Sequence, residues 1–286
     1  VSAPIRNVSD TARWVAAYRA LESAREDALF SDPFAALLAG DRGPAIAARA
    51  PRQTRDGWPV IARTKVIDDM ALAAIREGCD RVISLAAGLD ARPYRLELPA
   101  SLPWIEADLP DMIFEKNAAL AHADPRCALR RVAVDLADPI ARAAFLDEAL
   151  RGAERALVLT EGLVMYLTPD IVESLARDLA RPAVAYWITD LLSPASRNLV
   201  MLAADGMLAN APMRFAPGEG VAFFEALGWR VEALRSLFDE ARRFRRLPPL
   251  LDLLAMLPLP RPNPRRLGRA PWAGVVQLTP RRALAG

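Results

Sequence analysis

Apolar residues recur along this chain with two different periods. Over 10–40 they fall at helical spacing through Trp14, Val15, Tyr18 and Leu21, and Ser9 or Asp10 can cap the start. The stretch 41–60 is rich in Gly, Pro and Arg, contains Trp58, and reads as a mobile connection. A second helix is predicted over 61–77. It would bury Val66, Ile67, Met70, Leu72 and Ile75 and close on Gly78, which tolerates the left-handed conformation of a helix end. Beyond it the pattern changes to short continuous apolar runs at 81–85, 104–107, 131–134, 156–160 and 184–189. Runs of this length, partly β-branched or aromatic, are what strands buried on both faces require. Helical patterns at 111–122, 139–150 and 169–179 separate most of them. Such alternation implies right-handed crossovers and a parallel, doubly wound α/β sheet.

After Asp190 the alternation stops. The stretch 191–220 carries Met201, Met207 and Met213 with weak periodicity, and the methionines suit either a flexible substrate entrance or ordinary core filling. A helix near 221–227 and two further strands, 229–234 and 274–278, follow, with a Leu-, Pro- and Arg-rich stretch at 238–271 between the strands.

Composition narrows the classes. Of 286 residues, 53% are hydrophobic, enough to bury a two-sided sheet in one large unit. With 37 basic and 35 acidic residues the charge is nearly balanced, which argues against a general nucleic-acid binder. The arginines at 242, 243, 245 and 246 and at 265, 266 and 269 could attract an anionic partner, but a solvated basic face is the simpler expectation. Cys79 and Cys127 lie outside metal-ligand or CxxC spacings, so free thiols and no metal site are expected. Residues 1–10 lack the apolar core of a signal peptide, and no apolar run approaches the ~20 residues that cross a bilayer. A soluble, cytoplasmic protein without a membrane partner is the expectation.

Ligands of open parallel sheets bind beyond the carboxyl ends of the strands. After the first run comes LAAGLDAR at 85–92, where Gly88 permits a tight turn and close backbone approach. One glycine in place of GxGxxG disfavours a pyrophosphate-binding, NAD-type site. After the second run come Glu106 and Asp108, either of which could accept two ribose hydroxyls. After the third come Asp135 and Leu136, where a carboxylate can accept the exocyclic amine of adenine. After the fourth come Glu161 and Gly162, followed by Tyr166. Four successive strand ends thus deliver acidic or glycine residues to one edge of the sheet, as an adenosine-containing ligand needs.

Together, Arg63-Thr64 with Asp68-Asp69, LAAGLDARPYRL at 85–96, the segment 106–110, Asp135-Leu136 and TEGLVMYLTP at 160–169 resemble the S-adenosylmethionine-dependent leucine carboxyl methyltransferase family. The likeness is strongest to its bacterial small-molecule branch. It spans residues 8 to 190, includes Asp32-Pro33, and departs at Ala91, where a Thr is usual. The resemblance implies one Rossmann-like domain with a mostly parallel sheet and an antiparallel C-terminal strand. Within it, 8–62 would be an N-terminal helical lid, 63–190 the cofactor-binding core, 191–228 a helical cap over the substrate and 229–286 the last strands.

It also implies roles. S-adenosyl-L-methionine would be the cofactor, its methionine carboxylate paired with Arg63 and its methionine part lying against Gly88. Asp108 would hold the ribose, with Glu106 competing, and Asp135 and Leu136 would fix the adenine. Glu161 would lie beside the methionine amine, and Tyr166 would face the substrate or position the sulfonium. Arg19 could close over the cofactor, bind an acidic substrate, or be a solvated helix charge. His122, the single histidine, falls outside every motif and is expected on the surface. With no imidazole at the site, a small-molecule carboxylic acid, already ionised, is the favoured acceptor. Phenols and other hydroxyls, a protein's C-terminal carboxyl, and a non-catalytic cofactor-binding scaffold are the alternatives.

Overall fold

The computed structural model describes Ile5 and residues 8–51, 54–257 and 261–281. The apolar runs form strands β1 (Arg81–Leu85), β2 (Pro103–Asp108), β3 (Ala128–Ala133), β4 (Ala156–Thr160), β5 (Val184–Leu192), β6 (Trp229–Ser236) and β7 (Ala273–Pro280). They make one sheet in the order β3-β2-β1-β4-β5-β7-β6. Strands β1 to β5 pair in parallel, and β7 runs antiparallel between β5 and β6. The order reverses direction at β1 and β4, which opens a crevice at their carboxyl ends.

Burial explains which strands were easiest to read. Every residue of β4 is buried, so its sequence is apolar up to its last residue, Thr160. Strand β3 lies at the sheet edge and holds Arg130 and Arg131, so its polar start hides it and it begins three residues before the predicted 131. Successive side chains of β1 enter opposite faces. Ile83 joins Leu85, Val158, Trp187, Phe224 and Trp229 on one side, and Val82 joins Trp104, Leu157, Leu159 and Ile188 on the other.

The N-terminal region departs from its predicted outline. The helix expected over 10–40 is two, α1 (Val8–Ser23) and α2 (Ala35–Ala39). Glu22 accepts the Leu29 N–H at 2.7 Å and Ser23 Oγ accepts the Asp32 N–H at 2.8 Å, so side chains replace the helix ladder just before Pro33. The segment expected to be mobile contains a helix, α3 (Arg42–Ala47), whose Ile46 and Ala47 are buried. Helix α4 (Trp58–Arg76) starts three residues early with Pro59 in its first turn, and Gly78 follows it at φ +96°.

The remaining helices are α5 (Arg92–Arg95), α6 (Pro110–Ala119), α7 (Pro139–Ala149), α8 (Pro169–Leu179), α9 (Pro194–Ala203), α10 (Ala222–Ala226), α11 (Leu237–Arg243) and α12 (Pro249–Leu254). Helix α9 lies in the weakly periodic stretch, and α11 and α12 in the Leu-, Pro- and Arg-rich one. Among the described residues no helix is long and apolar enough to cross a membrane. Cys79 and Cys127 are both buried and free, and burial pushes each thiol up to about 11.

Trp187 joins the two ends of this core. Its indole N–H donates to Thr160 Oγ1 at 2.8 Å, and its ring meets Phe224 and Trp229 edge-on, each at 5.2 Å between centroids. Trp187→Ala is expected to cost about 3–5 kcal/mol through the cavity it leaves, read as a lower urea midpoint with an unchanged slope.

Candidate active site

The carboxyl ends of β1, β2, β4 and β5 form the floor of a cavity of about 850 Å³. Helix α1 contributes Thr11, Ala12, Trp14 and Tyr18 to its wall, and α9 contributes Leu199, Val200 and Ala203. Where β1 ends, Ala86 and Gly88 take positive φ values of 52° and 47°. For Ala86 that backbone region is strained. A Cβ on Gly88 would lie 3.3 Å from Ala12 Cβ, so α1 is seated directly on the loop.

Asp108 closes this loop onto β2. One of its oxygens accepts the Gly88 N–H at 2.6 Å and the other accepts the Leu109 N–H at 2.8 Å. Burial raises the Asp108 carboxyl above its ordinary value, against the pull of those two N–H groups. Each oxygen keeps a lone pair for a ligand, and the residue lines the cavity. Glu106, two residues earlier, is fully buried on the core side. Lys116 Nζ and Arg131 Nε each lie 2.8 Å from its Oε2. Two residues apart, the two carboxylates share one face of β2, and depth decides between them: Asp108 ends the strand and lines the cavity, whereas Glu106 lies further in and is covered by Lys116 and Arg131.

Asp135 and Leu136 line the cavity at the end of β3. Asp135 is exposed and accepts the Ala137 N–H at 2.9 Å; Leu136 is buried, its carbonyl held by Arg142 Nη1 at 2.8 Å.

A network of ion pairs forms the inner wall. Arg63, on α4, donates from Nε to Glu161 at 2.9 Å and from Nη1 to Asp190 at 2.8 Å. The second oxygen of Glu161 accepts from Arg92 Nη1 at 2.7 Å. Arg92 also donates to Asp68 at 2.6 Å and to Asp90 at 3.0 Å, and Arg95 grips both oxygens of Asp68. Burial pushes the Glu161 carboxyl up, but Arg92 and Arg63 outweigh it and leave the group below its ordinary range. For Asp90 burial is likewise outweighed by Arg92 and Arg95, and its carboxyl is held low.

Asp190 was not singled out in the sequence, although it follows the run 184–189 just as Asp108 and Asp135 follow theirs. It is 3% exposed and also accepts the Gly162 N–H at 2.7 Å, so it positions both Arg63 and the turn after β4. Arg92 and Asp90 were read only as part of a loop, and their pairing needed the fold to be seen.

Arg19 lines the cavity and is not a solvated helix charge. It is 5% exposed, donates from Nε to Asp32 at 2.8 Å and from Nη2 to the Leu89 carbonyl at 2.6 Å, and so ties α1 to the β1 loop. Tyr166 lies in a 3-10 turn (Val164–Tyr166) on the cavity wall. Burial raises its phenol; Thr11 and Arg63, close by, pull it back down. His122 is exposed and lies off the cavity wall. Met213 lines the cavity, whereas Met207 is buried in a small cluster with Ile5 and Leu208.

The residues present suit S-adenosylmethionine. Asp108 offers acceptors for a diol, and the exposed carboxylate of Asp135 sits beside buried, apolar Leu136. The network around the loop holds four guanidiniums (Arg19, Arg63, Arg92, Arg95) against five carboxylates (Asp32, Asp68, Asp90, Glu161, Asp190). One negative charge is left in excess, which favours a cationic ligand nearby.

Comparison with known proteins agrees. The profile of the leucine carboxyl methyltransferase family matches residues 12–180. A protein of Frankia alni named as a candidate S-adenosyl-L-methionine-dependent methyltransferase is 33% identical over 258 residues, covering 84% of this chain and 88% of its own. A Mycobacterium avium protein with the same designation is 34% identical, with 84% and 85% covered. Among solved structures, the fold is shared with a DUF574 family protein of Streptomyces avermitilis at a TM-score of 0.53 and 15% identity, over 94% of this chain and 97% of the other. A candidate methyltransferase of Thermobifida fusca gives 0.53 at 16% identity over 93% and 94%. The protein is therefore an S-adenosylmethionine-dependent methyltransferase. Within that class, the chain belongs to the leucine carboxyl methyltransferase family.

The two carboxylates of β2 should separate cleanly on substitution. Asp108→Ala is expected to weaken S-adenosylmethionine binding by about tenfold or more, as loss of a charge-assisted contact of ~1.5–3 kcal/mol predicts, in calorimetry at a temperature where the variant is folded. Glu106→Gln should instead lower stability by about 3–5 kcal/mol, because it strands Lys116 without its buried counter-charge. The depressed carboxyls of Glu161 and Asp90 give a pH dependence of defined sign. Their stabilisation is present above the unfolded carboxyl range, at about pH 4, and is lost as the pH falls further towards their folded values. Urea midpoints measured from about pH 6 to pH 3 should hold and then drop, and Glu161→Gln should flatten that drop.

Proposed function

We propose that this enzyme transfers a methyl group to a carboxylate oxygen of a small, largely apolar acid. The observation that carries the reading is the shortage of a usable base. Among the described residues, the cavity wall holds no histidine, cysteine or lysine. Glu161 and Asp190 are committed to Arg63, and Asp108 to two backbone N–H groups. Burial pushes the Tyr18 phenol up to about 12 and also raises Tyr166, so neither tyrosine takes a proton near neutral pH. An acceptor that arrives ionised needs none of them, and carboxylic acids do so at neutral pH.

S-adenosylmethionine supplies a methyl group on a sulfonium centre, open to in-line displacement by an oxygen lone pair. In the reading proposed here, Asp108 holds the ribose, Asp135 and Leu136 hold the adenine, and Gly88 lets the loop backbone approach the methionine part. The remaining N–H groups of Arg63 face the methionine carboxylate, and Glu161 lies beside the amine. Tyr166 orients the acceptor against the methyl carbon. The chain's contribution is alignment and exclusion of water rather than proton transfer. Residues 191–228 serve as the cover. The backbone N–H groups of Arg214 and Phe215 donate to the Met165 carbonyl at 2.7 and 3.1 Å, which fastens that cover to the turn bearing Tyr166.

The test joins calorimetry with S-adenosylmethionine to a panel of carboxylic acids and phenols of matched size. Turnover is expected on apolar acids, with kcat/KM flat from about pH 6 to 9 because the acceptor's charge does not change there. Turnover on phenols alone, with a rate that climbs across this range, would replace the carboxylate reading. Failure to bind S-adenosylmethionine, with Asp135→Ala changing nothing, would remove the site assignment as well.

A further inference from the structure

A leucine-rich strap lies between two groups of arginines near the rim of the cavity. Leu250, Leu253, Leu254 and Leu257 recur at the spacing of a single helical face. The N–H groups of Met256 and Leu257 donate to the carbonyls of Leu253 and Leu254, each at 3.1 Å, and carry the turn beyond the end of α12. A stripe of this kind ordinarily faces a core. Here the four leucines are 68, 62, 43 and 53% exposed and Met256 is 66% exposed. No residue of α12 is buried.

Along the chain, the charge on either side of the strap has one sign. Residues 242–269 contain eight arginines and a single acid, Asp252, so the segment carries +7 in a chain whose net charge is +2. Some of these arginines are used within the fold. Arg246 is buried against Glu22 and Asp27, while Arg243 pairs with Glu240 and Arg265 with Glu225. Arg242 donates to the Ala255 carbonyl at 3.0 Å and lies 3.5 Å from Asp252, which anchors the strap to α11. Arg245, Arg261, Arg266 and Arg269 are exposed and make no ion pair among the described residues.

The position of the strap is also informative. Phe238 stands one helical turn before Arg242, and its ring meets Trp58 edge-on at 6.3 Å. Trp58 lines the cavity. The strap's anchor is therefore about one turn of helix from the cavity rim.

We propose that the 249–257 strap is a peripheral docking surface for an anionic lipid bilayer. Its leucines and Met256 enter the interfacial layer, and the unpaired arginines that flank it along the chain, Arg245 and Arg261, meet lipid phosphates and acidic headgroups. Such docking is peripheral and requires no spanning helix. Charge selects the occupant: a second copy docked symmetrically would set the unpaired Arg245 and Arg261 of one strap against those of the other, whereas an acidic surface neutralises them. The surface stands independently of which acceptor is methylated.

Sedimentation of the full chain with vesicles of phosphatidylcholine, with and without phosphatidylserine, tests this. The protein is expected to pellet only with phosphatidylserine present, and to be released as salt rises from about 0.1 to 1 M and the screening length falls from about 10 to 3 Å. Leu253→Ser/Met256→Ser and Arg245→Ser/Arg261→Ser should each reduce partitioning about tenfold or more. Unfolding curves and S-adenosylmethionine binding should stay unchanged, because all four side chains are exposed. Three results would overturn the proposal: no pelleting with acidic vesicles, equal pelleting with neutral ones, or a dimer in sedimentation that the leucine-strap variant dissolves. The last would give the surface to a second copy.

Discussion

Glu161 sits between two guanidiniums, and the geometry of the site depends on that arrangement. Arg63 reaches it from α4 and Arg92 from the loop after β1, while Arg63 also holds Asp190 at the end of β5. Three strand ends and one helix are thereby fixed relative to one another. Arg92 is only 2% exposed, so its charge has been taken almost wholly out of water and depends on Asp68, Asp90 and Glu161 for compensation. Such a network adds little to stability against a well-packed apolar alternative, but it is costly to break from one side. Its value here is positional, since it sets where a carboxylate, a backbone turn and a guanidinium stand on the cavity wall.

Helix α1 depends on the same loop. Arg19 holds the Leu89 carbonyl, Ala12 sits over Gly88, and Tyr18 lies against Gly57, where a Cβ would come within 2.4 Å of its ring. A glycine at φ +75° is therefore required by the helix on the other side of the cavity. The N-terminal helices are fastened to the cofactor loop by specific contacts, and the cavity exists because α1 and α9 stand over the strand ends.

The parallel core was legible because burial on both faces leaves a chemical mark. Strands β1 and β4 were delimited to the residue, and α8 likewise, since solvent plays no part in the one and a sharp apolar stripe defines the other. The edge strand β3 was displaced because an edge needs less apolar sequence. The break after Ser23 and helix α3 were missed because side-chain hydrogen bonds and docking on α1, rather than local propensity, decide them. At the site, Asp108, Asp135 and Glu161 were visible as acids following apolar runs. Asp190 obeyed the same rule, but the loss of alternation after it drew attention away.

The sequence by itself determined the class of sheet, the order of its strands' chemistry and the edge of the sheet at which the acidic strand ends gather, because hydrophobic period and strand-end residues are local properties. Only the tertiary structure decided which carboxylate of Glu106 and Asp108 faces the cavity, that Arg19 is a tie and not a free charge, and that the leucines of 250–257 face outwards. Each of these depends on what lies across a gap of many residues. Periodicity tells that a stripe exists; it does not tell what, if anything, covers it.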